Sequence, residues 1–286
     1  MWLWLDTWMN TAPILVIGGT VFVLMFVALV AGSRLRRRRD RTQAERGPGW
    51  EASESAVIAV STLLALLLGF SFNLALDRFE ARRMLVVDQA NAIDAAYLYA
   101  QLLPEPHRRR ISDILVAYTN NRIALATAEP PRGPALQAKN DALLTDLWAA
   151  TSAALVGIGH PDYSNTFLRS TTRVIEIDAA RQESRRIHIP SVMFEIMFAY
   201  MIVTCGLLGY LLTGVQGKAS VLVLLLMAIF LLLVVDIDRP SEGAVRESQA
   251  PMEMPRAKLA ARPRDVFDRY RTQRSAARRP EGTGAR

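Results

Sequence analysis

Cysteine and histidine are almost absent from this sequence, whose 286 residues contain one cysteine, Cys205, and three histidines. A single cysteine excludes an internal disulfide framework and a metal site built from several cysteines. Cys205 lies inside an apolar run, where a small packing residue is expected rather than a reactive thiol. The phosphate-cradling glycine loop, the zinc-protease helix motif, the paired-cysteine motif and the nucleophile elbow are missing too. We therefore expect no enzyme, no catalytic residue, no metal site and no cofactor.

Scattered histidines and acids offer only weak catalytic candidates. Three histidines fall in predicted loops or helix ends, where we expect solvated or capping roles: His107, His160 and His188. Three acids could in principle assemble into a carboxylate site: Asp94, Asp113 and Asp178. Charged positions on amphipathic helices usually form the solvated face, so we expect that role for them.

Charged residues are rare in four long apolar runs, at residues 13–32, 56–76, 191–213 and 219–235. Each run is close to the ~20 residues that a helix needs to cross hydrocarbon. Trp2, Trp4 and Trp8 precede the first run, as expected for aromatic residues at the membrane interface. The arginines from Arg34 to Arg39 follow this run, whereas a signal peptide carries its positive charge before it. The pattern predicts four spans, the first of them uncleaved.

Strand signals are absent from the stretch between spans two and three, and apolar residues recur there at helical spacing. Breaks at residues 104–106, 130–134 and 157–161 divide it into about four helices, the first continuous with span two. The prediction is an all-α integral membrane protein with four transmembrane helices and an α-helical extramembrane domain. Its parts are an N-terminal span with an Arg-rich loop (1–55), the second span and candidate pore helix (56–76), the helical domain (77–189), a two-span hairpin (190–237) and a basic, partly disordered tail (238–286).

A net charge of +7 comes mainly from arginine and suits an anionic partner. In a chain with membrane spans, anionic lipid is the expected partner rather than nucleic acid. The tail contributes to this charge and has few apolar residues to bury beyond Val266, Phe267 and Tyr270. We predict disorder from about Gln273 onward.

Polar residues inside the spans are costly in lipid and therefore informative. Glu195 lies near the start of span three, where its carboxylate can reach interfacial water. On span two, helical rotation of about 100° per residue places one stripe of residues on a single face. The stripe contains Thr62, Leu66, Gly69, Phe70 and Asn73, and Asp77 and Glu80 extend it. This mixture suits either a helix lining a water-filled path or an ordinary helix–helix seam.

The run from Leu68-Gly69-Phe70 to Arg78-Phe79-Glu80 resembles the second span of bestrophins, in which Leu-Gly-Phe leads to an Arg followed by aromatics. The segment from Asp236 to Gly243 resembles the acidic region after the last bestrophin span. A set of bacterial membrane proteins described as bestrophin-like is more similar still. They share the Arg-Phe-Glu-x-Arg-Arg at residues 78–83 and the Asp-x-Asp-Arg-Pro after span four. This resemblance covers residues 57–252.

Bestrophins are homopentameric ion channels whose second span lines the pore with an apolar neck. The resemblance implies a homo-oligomer, a pentamer by analogy, with Phe70, Leu66 and Thr62 at the neck. Thr62 departs from the bulky apolar pattern, which implies a shorter or leakier neck. The acidic calcium clasp of animal bestrophins has no counterpart after Gly243, so calcium gating is not expected.

Two functions from different classes remain open. The first is a passive ion channel lined by Thr62, Leu66, Phe70 and Asn73. At its mouth, Asp77 and Glu80 would favour cations, whereas Arg78 and its neighbours Arg82 and Arg83 would favour anions. The second is a membrane scaffold or sensor, in which the helical domain and basic tail bind a partner or anionic lipid.

Two observations conflict on the orientation in the membrane. The Arg-rich loop after span one indicates that this loop is cytoplasmic. The bestrophin resemblance instead places the helical domain, and with it the C-terminus, in the cytoplasm. We follow the resemblance and expect a protein of the bacterial inner (plasma) membrane.

Overall fold

A computed structural model describes residues 12–42, 50–128, 130–156, 161–187, 189–211, 216–239, 247–261 and 264–268. Within these residues the chain is helical and contains no strand. Eight α-helices follow one another: α1 (Ile14–Thr42), α2 (Trp50–Ala100), α3 (His107–Thr127), α4 (Gly133–Leu155), α5 (Pro161–Arg186), α6 (Ser191–Leu211), α7 (Gln216–Asp238) and α8 (Ala250–Ala261). Short 3₁₀ turns lie at Pro130–Arg132 and Arg264–Asp268.

Four helices are long and apolar enough to cross a membrane, which confirms the predicted all-α membrane fold. These helical segments are Ile14–Arg38, Val57–Ala100, Val192–Leu211 and Val221–Asp238. As predicted, the second span continues without interruption into the next helix, and α2 is 51 residues long. The three predicted breaks separate α2 from α3, α3 from α4, and α4 from α5. Residues 212–215, at the predicted turn between spans three and four, lie outside the described part.

The described chain divides into two compact units. The membrane unit comprises Met1–Ala81 and Ile187–Glu247, and the helical unit comprises Arg82–Arg186 and Ser248–Arg286. The boundary between them falls within α2.

Glycines bring α1 and α6 into backbone contact inside the membrane unit. A Cβ atom at Gly32 would lie 2.0 Å from the carbonyl oxygen of Gly206, and one at Gly209 would lie 2.0 Å from that of Leu29. No side chain fits at such a distance. Small residues permit this close approach in membrane bundles, where packing and weak polar contacts replace the hydrophobic effect between helices.

A polar clasp joins three segments at the end of α7. The backbone N–H of Ile189 donates to both carboxylate oxygens of Asp238, at 3.3 and 3.2 Å. Arg239 donates through Nη1 to the carbonyl oxygen of Ala12 at 2.8 Å. Asp238 and Arg239 are both buried. The motif that marks the family resemblance therefore ties the end of α7 to the segments preceding α6 and α1.

The helical unit has its own apolar core, contributed by α2 to α5 and α8. Its largest fully buried side chains are Tyr118, Phe167, Ile93, Leu103, Ile111, Leu115 and Leu147. This separate core explains why the stretch between spans two and three forms a compact unit.

One helix of this unit lies in the stretch that the sequence analysis assigned to the tail. Met252 and Leu259 of α8 are buried in the core of the helical unit. Lys258 donates to Asp94 at 2.8 Å, and Arg108 forms a two-bond ion pair with Asp268 at 2.7 and 3.0 Å. The predicted disorder from about Gln273 concerns residues outside the described part.

Candidate functional site

The stripe predicted on span two lies on the surface of the chain. Helical rotation of about 100° per residue places Thr62, Phe70, Asn73, Asp77 and Glu80 within about 40° of Leu66. All six residues are exposed. The exposed fractions are 53% for Leu66 and 62% for Phe70, so these two large apolar side chains are not buried against the other spans of the chain.

The opposite face of span two is the one that joins the bundle. Its buried residues lie within about 40° of the direction opposite to Leu66; they are Leu64, Leu68, Ser71 and Ala75. Leu64, Leu68 and Ala75 belong to the apolar core of the membrane unit. Phe72 adds a ring contact with Phe230 of α7, with centroids 5.6 Å apart. A helix–helix seam within one chain therefore does not account for the stripe.

Two polar residues of the stripe are linked to each other. The Asn73 side-chain amide donates to Asp77 Oδ2 at 3.3 Å, one helical turn away. Thr62 donates its hydroxyl proton to the carbonyl oxygen of Ile58 at 2.8 Å. The Thr62 proton is therefore used within its own helix, whereas the Asn73–Asp77 pair keeps further donors and acceptors for water or ions.

Arg78 differs from the other six candidates because it lies to one side of the stripe. It is half-buried, and its Nη1 is enclosed without a hydrogen-bond partner among the described residues. Of the two further arginines considered at the mouth, Arg82 is buried and Arg83 is exposed. The charges centred on the stripe are therefore the acids Asp77 and Glu80.

Glu195 is less open to solvent than its place near the start of span three suggested. Its side chain is half-buried, and Oε1 is enclosed with no hydrogen-bond partner in the described chain. At least one carboxylate oxygen therefore does not reach interfacial water.

The weak catalytic candidates do not come together as a site. No group of three or more His, Cys, Asp or Glu side chains suited to a metal ion occurs in the described ranges. Asp94 pairs with Lys258, and His107 begins α3. His160 and His188 lie outside the described residues.

We expected Asp178 to lie on a solvated face, and this prediction is wrong. Asp178 lies at the centre of a buried network in the helical unit. Its side chain is 1% exposed. Tyr118 donates to Oδ1 at 2.7 Å, while Asn140 and Gln182 donate to Oδ2 at 3.0 and 2.8 Å. Arg122, itself buried, pairs with Oδ1 at 3.2 Å.

Around this carboxylate the network extends to α2. Gln89 donates to the Tyr118 hydroxyl oxygen, and Arg181 donates to Gln89 Oε1. Burial raises the pKa of Tyr118 well above its ordinary value, and the nearby Asp178 charge adds to the shift. Tyr118 therefore remains a hydrogen-bond donor at physiological pH. These contacts join α2, α3, α4 and α5, which indicates a structural role.

Similarity to known proteins agrees with the all-α fold. The family model of the bestrophin-like domain matches residues 20–252. Two crystal structures of a bacterial bestrophin homologue from Klebsiella pneumoniae, one a single-substitution variant, share the fold. The variant is 14% identical with a TM-score of 0.63, over 87% of this chain and 100% of that one. The other is 15% identical with a TM-score of 0.62, over 89% of this chain and 98% of that one.

A search of curated proteins finds no match. The family model nevertheless covers most of the chain, from span one to the start of α8, and the solved structures share its arrangement of helices. The matched residues include both segments that carry the sequence resemblance, 68–80 and 236–243. The chain therefore belongs to the bestrophin-like family.

Proposed function

We propose that this protein is a passive ion channel formed by a ring of identical subunits, in which span two of each subunit lines the pore. The observation that supports this most is the stripe on α2, because polar residues at one end of it are exposed on a membrane span. The number of subunits, five, is an analogy with bestrophins.

A ring is favoured because the stripe needs an environment other than lipid. Asn73 and Asp77 are exposed on the surface of the subunit, and such groups are costly in contact with hydrocarbon. One helix cannot enclose water by itself. Copies of span two around a central axis would give these side chains water and would cover the exposed Leu66 and Phe70.

Within such a ring, Leu66 and Phe70 would form the neck. Bulky apolar side chains around a narrow passage raise the cost of hydrating an ion and can gate by dewetting. Thr62, one turn away, is smaller and would widen the passage at its own level.

The charge on the stripe favours cations. Asp77 and Glu80 lie on it, whereas Arg78 lies to one side and is half-buried. Rings of carboxylates attract cations and repel anions. We therefore propose that potassium or sodium passes more readily than chloride.

Liposomes that contain the wild-type protein should conduct potassium faster than chloride, and Leu66→Ala with Phe70→Ala should increase the flux because a wider neck costs less to hydrate. The matched control is Phe26→Ala with Leu222→Ala. These residues have the same types and are exposed on other spans, so flux should not change. Native mass spectrometry should give one oligomer for all three proteins.

Two results would contradict the proposal. Flux at the level of empty liposomes in both the wild type and the neck variant would favour the scaffold function. A monomer in every mild detergent would remove the ring itself.

We further propose that the protein lies in the bacterial inner membrane with its helical unit and C-terminus in the cytoplasm. Cysteines at the exposed positions Ala135 and Ala261, in a Cys205→Ser background, should react with an impermeant thiol reagent only after permeabilisation. A cysteine at Arg37 should react in intact cells. The reverse pattern would invert the orientation, and a difference between positions 135 and 261 would mean that one span does not cross.

A further inference from the structure

An apolar groove runs along the surface of the membrane unit between α1 and α6. Its volume is about 1130 Å³, and its walls include Ala28, Ala31, Leu35, Val203 and Leu207. Leu35 and Val203 are 62% and 53% exposed. Both helices are membrane spans with mean hydropathies of 2.8 and 1.9, so an occupant must be compatible with hydrocarbon.

The groove follows from the small residues that hold α1 and α6 together. Gly32 and Gly209 let the two backbones touch, which fixes the crossing. Ala28, Ala31 and Gly206 beside this contact have too little side chain to fill the space above it. A substituent at Gly206 would meet only ordinary contact, with Ala28 O at 3.8 Å.

The length of the groove matches the thickness of one leaflet of a bilayer. From Ala28 to Arg38 the groove follows α1 for about 15 Å, at ~1.5 Å of rise per residue. The hydrocarbon of one leaflet is half of the ~30 Å core, or about 15 Å. The groove is therefore long enough to hold one acyl chain of a phospholipid.

Positive charge marks one end of the groove. Arg38 lines the groove, and Arg34 and Arg37 are exposed on the same end of α1. Arg36 donates to the carbonyl oxygens of Tyr210 and Leu211 at the end of α6. It thereby holds this end of α6 against the basic segment. In the sequence 33–42, Asp40 is the single acid.

We propose that this groove binds an anionic phospholipid, with one acyl chain between α1 and α6 and its phosphate at Arg38. The apolar walls suit an acyl chain, and the arginines at the end of the groove suit the phosphate. A second copy of the chain fits the groove less well, because it would have to place an apolar surface beside this arginine cluster. The site is independent of ion conduction, and its occupant would strengthen the contact between spans one and three.

The test is lipid binding to the delipidated full-length protein in detergent, followed by native mass spectrometry. Phosphatidylglycerol and phosphatidylcholine with the same acyl chains are titrated in parallel. We expect phosphatidylglycerol to bind roughly fivefold more tightly or more, the effect typical of one basic residue near an anionic headgroup. Arg38→Ala should remove this preference, whereas Ala31→Phe should weaken both lipids by filling the groove.

Matched controls lie outside the groove. Arg83→Ala removes an exposed arginine, and Val23→Phe enlarges an exposed side chain of α1; both should bind like the wild type. Equal affinity for the two lipids would overturn the proposal. Unchanged lipid binding by Ala31→Phe would also overturn the proposal. This test does not depend on whether Arg38→Ala folds. A smaller oligomer of Ala31→Phe with unchanged lipid binding would instead identify a second copy as the occupant.

Discussion

Replacing Asp178 with alanine is expected to destabilise the helical unit by about 3–5 kcal/mol, the range for removing one partner of a buried ion pair. Arg122, 4% exposed, would keep its charge in the core without the carboxylate. Tyr118, Asn140 and Gln182 would each lose an acceptor. Since burial already raises the pKa of Tyr118, this side chain would not ionise to compensate for the missing charge.

Thermal unfolding in detergent measures this loss. At roughly 2–4 °C per kcal/mol for a protein of this size, the melting temperature should fall by about 6–20 °C. Asp94→Ala is the matched control because it removes another carboxylate of the same unit. Its partner Lys258 is 47% exposed, so the change should cost at most about 1 kcal/mol. Similar melting temperatures for the two variants would contradict a central role for Asp178.

Gly32→Ala and Gly209→Ala should each separate α1 from α6. The added Cβ would lie 2.0 Å from a carbonyl oxygen of the facing backbone, whereas a carbon normally approaches such an oxygen to about 3.3–3.6 Å. The two backbones must therefore move apart by more than an ångström. We expect a loss of about 1–3 kcal/mol or more, as in other overpacked contacts.

Gly19→Ala, on the same helix, is the control because a Cβ there meets nothing within 4 Å. Alanine is the better helix former by roughly 1 kcal/mol, so this variant should be neutral or slightly more stable. The fraction of each protein that remains monodisperse after heating, followed by size-exclusion chromatography, measures the difference. A loss of stability in Gly19→Ala equal to that in Gly32→Ala would mean that the close crossing is not its cause.

Local patterns predicted the positions of the helices well. Spans appear as apolar runs, and the breaks between helices coincide with proline and glycine, because both signals are written in neighbouring residues. The face of span two that carries Leu66 and Phe70 was also found by rotation alone. The exposure of this face could not be predicted in the same way. Periodicity shows which residues share a face but not what that face contacts.

Contacts between distant residues were beyond the sequence analysis. The sequence pattern around Asp178 is the same as that of an acid on a solvated helix face. Only the packing of four helices shows that Asp178 is buried. The helix α8 escaped notice because Met252 and Leu259 are too few to form a clear apolar periodicity. Arg78 shows the same limit at the candidate site: it is adjacent in sequence to Asp77, yet its side chain lies away from the stripe.

The clasp at the end of α7 bears on the order in which the protein is made. Arg239 and Ala12 are separated by 227 residues, and Asp238 and Ile189 by 49. A chain synthesised from its N-terminus cannot form either bond until its fourth span has left the ribosome. The first and third spans are therefore synthesised before these two hydrogen bonds can form. Completion of the bundle is a late event in biogenesis. A polypeptide that stops before Asp238 would lack both bonds.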